Sequence, residues 1–397
     1  MAVQISEKSG QQDSRELALF ELGFRPFFLG AGIFGMVTVA LWAAIYLSGL
    51  SIPMQSISSF QWHAHEMIYG YGVAVIAGFL LTAVNNWTGM KTINSRLLAL
   101  LFGLWLAVRF SFVFAAEAMW VAALLDSLFG LILIVAVTRP IIVKKQWKQL
   151  AVVTKLMLIL MFNGAFYLGV FGLLDNGVFW GIYGGLYLVI GLVLTMGRRV
   201  IPFFIENGVD YRVSLFNSLW LDIPGLIFFL GFFVSEVFLR HSLTSAWLAL
   251  VLFVVNGIRL AGWYTPGIWK KSLLWSIYLS FWFITLGFLL FAASYWLALS
   301  PYLAIHAFAY GGIGLITIGM MSRVSLGHTG RKVSDPPKII GYAFGLLLVG
   351  AVVRVILPLF DMTNYTSWIG LSQLLWVMAF LLFVVTYAPI LIKPRIE

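Results

Sequence analysis

Long apolar runs alternate with short polar connections along the whole chain. A bilayer-spanning helix takes about 20 apolar residues. Segments of that kind are predicted at 24–49, 64–85, 97–114, 118–138, 152–174, 178–200, 215–239, 245–263, 272–293, 300–322, 338–358 and 367–392. Over runs of this length only helices satisfy every backbone group in lipid. The alternating segments of about ten residues that barrel strands need are absent. The expected fold is therefore all-α, a polytopic membrane helical bundle of twelve transmembrane helices. Residues 24–392 read as a single transmembrane helical domain behind a polar tail at 1–23, with no linker and no low-complexity tract. A six-plus-six pseudo-repeat suits the helix count, but the two halves show no sequence match.

Composition agrees with lipid as the solvent. Hydrophobic residues make up 61% of the chain and charged residues 10%, where soluble domains carry about 25% charged. The net charge of +10 would suggest nucleic acid in a soluble protein. Here it follows from topology. Lys91 and Arg96 fall between the second and third segments. Arg139, Lys144, Lys145 and Lys148 follow the fourth; Arg198, Arg199 and Arg212 lie around the end of the sixth. Lys270 and Lys271 follow the eighth; Arg323, Arg331, Lys332 and Lys338 follow the tenth; Lys393 and Arg395 close the tail. The alternate connections hold almost no Lys or Arg, Arg240 excepted. This positive-inside pattern places both termini in the cytoplasm.

There is no cysteine, which excludes disulfides, thiolate-held iron–sulfur clusters and haem attached through C-x-x-C-H. Any haem is held non-covalently, with histidine the first choice of ligand. Only five histidines are present. Topology puts His63 and His65 at the outer mouth of the second segment, and His306 about one and a half turns below the outer surface in the tenth. It puts His241 in an outer loop and His328 in a cytoplasmic one. Three histidines from distant segments thus share a depth. Neighbouring helix positions differ by about 100°, so His63 and His65 point about 200° apart and do not grip one metal together. His63, Glu66 and Met67 share a face, as do His65 and Tyr69. Imidazole with thioether suits copper; imidazole suits haem iron. His65 and His306 are the candidate haem ligands, with Tyr69 beside them, and His63, Glu66 and Met67 the candidate copper ligands. For a histidine at a membrane interface, simple solvation is the competing account, and it is preferred for His241 and His328.

Ionisable residues inside a membrane are costly and point to function. Arg109 and Arg354 share the depth of the three histidines and suit two haem propionates; snorkelling to the outer interface is the alternative. Asp126 lies part-way down the fourth segment. Asp222 and Arg259 lie nearer the cytoplasm, where they pair with each other or with headgroups. Asn163 and Asn256 are expected to bond between helices. Gly181 and Gly185 read as a helix-packing pair.

Five blocks then become recognisable: FELGFRPFFLGAG at 20–32, WHAHEMIYGY at 62–71, AGFLLTAVNNWTG at 77–89, MGRRVIPFF at 196–204 and MMSRVSLGHTGR at 320–331. Together they resemble the NnrS family. Asn85 stands where the family pattern has Pro, at a helix end. The resemblance implies a bacterial inner-membrane protein of about twelve helices that carries haem b and copper and is linked to nitric oxide and nitrosative stress. It assigns no ligand; the residues above rest on depth and spacing. Five histidines, one on the wrong side, are too few for a conventional haem–copper oxidase core. The expected function is a nitric-oxide-binding haem and copper protein that turns NO over in nitrosative-stress defence or denitrification. Its partners are then NO, the lipid bilayer and an electron donor, with no nucleic acid. A secondary transporter centred on Asp126 and a non-catalytic assembly or regulatory protein are the alternatives.

Overall fold

A computed structural model describes residues 17–51, 56–114, 119–240 and 242–396. His241 and most of the N-terminal tail lie outside the described residues. The described chain is helical, without strands, and twelve of its helices are long and apolar enough to cross a membrane. They are α1 (Phe24–Ser48), α2 (Ser59–Thr88), α3 (Ser95–Phe112), α4 (Met119–Val143), α5 (Trp147–Val170), α6 (Gly177–Gly208), α7 (Leu219–Leu239), α8 (Leu243–Gly262), α9 (Ser272–Trp296), α10 (Pro301–His328), α11 (Lys338–Phe360) and α12 (Tyr365–Ile392). The two described ends meet on one face. The Ala18 N–H donates to the Ile392 carbonyl at 2.8 Å, and the Arg25 guanidinium donates to the carbonyls of Leu391 and Lys393.

Two helix ends differ from the hydropathy pattern for a local reason. α2 starts five residues before the apolar run because Ser58 and Gln61 close a capping box, each side chain accepting from the other's backbone N–H. His63 and His65 are therefore inside the helix, not at its mouth. α10 runs on to His328, which belongs to the helix end and faces Asn86 at 3.3 Å near the C-terminal end of α2.

The bundle divides by three, not by two. In each group of four helices the first packs on the second and the third on the fourth. α4 then packs on α5, α8 on α9 and α12 on α1, which closes a ring. α2, α6 and α10 touch one another at the centre and, with α9, are the most buried spans. The three central helices share a local signature. His65, Phe179 and His306 are each followed four residues later by Tyr-Gly: Tyr69-Gly70, Tyr183-Gly184 and Tyr310-Gly311. Each also immediately precedes a π-helical stretch, at Glu66–Gly72, Trp180–Gly184 and Ala307–Gly314. Such wide turns inside α-helices are frequent at functional sites.

Small residues set the closest crossings. A Cβ at Gly169 would overlap the backbone of Gly177 and Val178, where α5 turns into α6. Gly169→Ala should therefore cost about 1–3 kcal/mol, read as a lowered unfolding midpoint in detergent. Gly181 and Gly185 serve packing as expected: side chains there would strike Phe166 and Tyr69.

Candidate functional site

The histidine depth holds two separate clusters. The first is a fully buried polar network between α2, α3, α4 and α5. His65 donates from Nδ1 to Glu66 Oε1 at 2.9 Å, and its Nε2 faces Asn163 Oδ1 at 2.9 Å. Arg109 donates to both Glu66 oxygens at 2.8 and 2.9 Å and to Asp126 Oδ1 at 3.2 Å. Asp126 Oδ2 accepts from the Asn163 amide and the Tyr167 hydroxyl, both at 3.0 Å. Gly70 leaves the room: a Cβ there would meet Arg109 and Glu66. Both nitrogens of His65 face side-chain oxygens, so the ring is held at both ends within the network. Arg109 sets a guanidinium between the two buried carboxylates, the pairing that buried charges require.

The second cluster lies between α1, α2, α10, α11 and α12. His306 Nδ1–H donates to the Tyr302 carbonyl at 2.7 Å, which fixes the tautomer and turns the Nε2 lone pair outward. A carbonyl-anchored Nδ1–H is the usual support of a ligating histidine. Nε2 accepts from Arg354 Nη2 at 3.0 Å, and Arg354 Nη1 donates to the Tyr365 hydroxyl at 3.1 Å. Arg354 is 8% exposed, and among the described residues it has no carboxylate within ion-pair distance. His63 stacks on Trp42, ring centroids 4.7 Å apart and planes 7° from parallel. It is an electrostatic neighbour of both Arg354 and His306, and its buried Nδ1 has no hydrogen-bond partner.

The divergence of His63 from His65 is thus as spacing predicts, but the histidine that is an electrostatic neighbour of His306 is His63. Tyr69 supports the first cluster by donating to the Gly181 carbonyl of α6 at 2.6 Å. Arg109 is neutralised by two acids, whereas Arg354 has none. The trio His63, Glu66 and Met67 is split: Glu66 belongs to Arg109, and Met67 lines a cavity nearer the middle of α2. Among the described residues no group of three or more His, Cys, Asp or Glu could hold a metal ion.

A family model described as NnrS protein matches residues 18–395. The chain belongs to the NnrS family. Among curated proteins no match to it is found. In this NnrS protein, sequence reasoning missed Trp42, Tyr302, Tyr365 and Tyr167. Tyr167 follows Asn163 by one helical turn, a signal that was present; the other three carry none. Asp222 and Arg259 do pair, at 3.1 Å, with Arg198 on the other Asp222 oxygen at 2.8 Å. Asn256 does not bond between helices. It donates to Leu252 of its own turn and accepts from Arg259.

Proposed function

We propose that this NnrS protein holds haem b non-covalently at the His63–His306 pair and binds nitric oxide there, in the outer part of a bacterial inner membrane. The observation that carries the reading is His306, whose Nε2 lone pair is aimed at a buried guanidinium that has no counter-anion among the described residues, with a second histidine, His63, an electrostatic neighbour of both and carrying an unpartnered ring nitrogen. Imidazole nitrogens are haem-iron donors. A propionate carboxylate is the anion that a buried Arg354 lacks. Haem bound there supplies an iron that ligates NO. Trp42 sets the plane of His63, Tyr302 holds the His306 proton on Nδ1, and Tyr365 steadies Arg354. The positive-inside charge pattern supports the outer placement. NO is small and apolar and enters lipid, so an intramembrane site meets it directly.

The residues present do not fit copper in the same way, because Glu66 is held by Arg109 and Met67 lines the cavity further along α2. We further propose that NO bound at this site is consumed, in nitrosative-stress defence. Transport centred on Asp126 is not favoured, because both its oxygens are engaged by Arg109, Asn163 and Tyr167.

The test is an absorption spectrum of protein purified from haem-replete cells, oxidised and reduced, before and after NO. A Soret band that shifts with NO is expected. A spectrum without one would overturn the reading. Steady-state NO consumption with an electron donor then separates turnover from binding alone.

A further inference from the structure

Protein interiors are close-packed, with few voids, yet the axis between α2, α6 and α10 holds two. The lower is a recess with a volume of about 90 Å³, lined by Val75 and Ile76 of α2, Leu192 and Met196 of α6, and Ile316 and Met320 of α10. The upper, of about 40 Å³, is lined by Met67, Tyr71, Leu186, Ala309 and Trp376. Gly72, Val189 and Ile313 line both, so the two adjoin at one junction. Met67 follows His63 by four residues, and Ala309 follows His306 by three. Both lie within about one helical turn of their histidines, which sets the upper cavity next to the pair along α2 and α10. At the other end Phe79, Met196, Val200 and Met320 are only half-buried, and the recess opens there.

We propose that these two cavities form a binding site and conduit for small apolar gas molecules, leading from the inner half of the bundle to the His63–His306 pair. The lining chemistry selects the occupant. The nearby hydroxyls are engaged: Tyr71 and Thr317 share a hydrogen bond at 2.5 Å, and Thr317 also donates to the Ile313 carbonyl at 2.6 Å. Ordered water needs two to four polar partners, and apolar cavities of this kind stay dry and accept xenon. A diatomic such as NO has the same size and polarity requirements. The destination of the conduit rests on the haem reading; the gas site does not.

Two measurements decide it. In crystals of the full chain held under xenon, xenon is expected in both cavities. An empty lower recess, or one filled by an ordered lipid acyl chain, overturns the proposal. In haem-loaded protein, carbon monoxide recombination after flash photolysis reads the junction. A Cβ at Gly72 meets only the Met67 carbonyl, at 3.4 Å, so Gly72→Ala should recombine at the wild-type rate. Gly72→Leu fills the junction and should slow recombination about tenfold, a rise of about 1.4 kcal/mol in the entry barrier, with the Soret band unchanged. Equal rates for the two variants overturn the conduit. If Gly72→Leu does not fold, Val189→Phe narrows the same junction from α6. A chain without haem fails the earlier reading alone and leaves the xenon result to decide this one.

Discussion

Replacing Arg109 with leucine should cost about 3–5 kcal/mol of stability. Arg109 is 5% exposed and holds Glu66 and Asp126, at 1% and 3%. Without it two carboxylates remain in a low-dielectric interior with no guanidinium between them. Breaking one member of a buried ionic set is costly because the others keep their desolvation penalty and lose the compensating charge. Removing the whole set is cheaper. The variant Arg109→Leu with Glu66→Gln and Asp126→Asn should therefore recover most of the loss. Arg109→Lys should fall between, since an ammonium does not reach three carboxylate oxygens as a planar fork does. The measurement is reversible unfolding in detergent micelles, followed by helical circular dichroism. An Arg109→Leu protein as stable as wild type would mean that the network does not anchor α2 to α3 and α4.

The twelve helices were legible because lipid leaves the backbone no alternative, and the apolar runs had to be long. Their starts were less so. The first turn of α2 is polar and held by Ser58 and Gln61, which hydropathy cannot register. The pairing of Asp222 with Arg259 was legible as two opposite charges at similar depth. The pairing of Arg109 with Glu66 and Asp126 was not. All three residues stood out, but nothing in a linear pattern says which faces of three helices meet. The threefold division escaped for a related reason. Equivalent helices share little more than an aromatic ring, a Tyr-Gly four residues on and the π turn between them, and a π turn has no composition of its own.

The histidines show the same limit more sharply. Helical geometry separates His63 from His65 in angle but does not say which neighbour each one meets. Which of them faces His306 depends on Asn163 and Glu66 occupying the two nitrogens of His65. Both partners act at fixed positions in the fold: Glu66 is the next residue in sequence, while Asn163 arrives from α5. Only the second could not be foreseen.

His63→Ala and His306→Ala should each lower the haem-to-protein ratio by about tenfold or more, equivalent to at least about 1.4 kcal/mol of binding, while helicity and elution volume stay unchanged. Neither histidine belongs to the buried ionic network, so the fold has little reason to fail. His65→Gln should show the opposite pattern. It weakens the network and lowers stability, yet the protein that remains folded should carry its haem. Added imidazole makes the distinction firmer: it should restore the Soret band in His306→Gly by entering the space the ring leaves, and should do nothing for His65→Gly. Arg354→Leu removes the unbalanced guanidinium and should weaken haem retention by about 1.5–3 kcal/mol, the range of hydrogen bonds to charged groups. If instead His65→Gln loses haem and His63→Ala keeps it, the ligand pair is the other one, and the network around Arg109 must rearrange to free a nitrogen of His65.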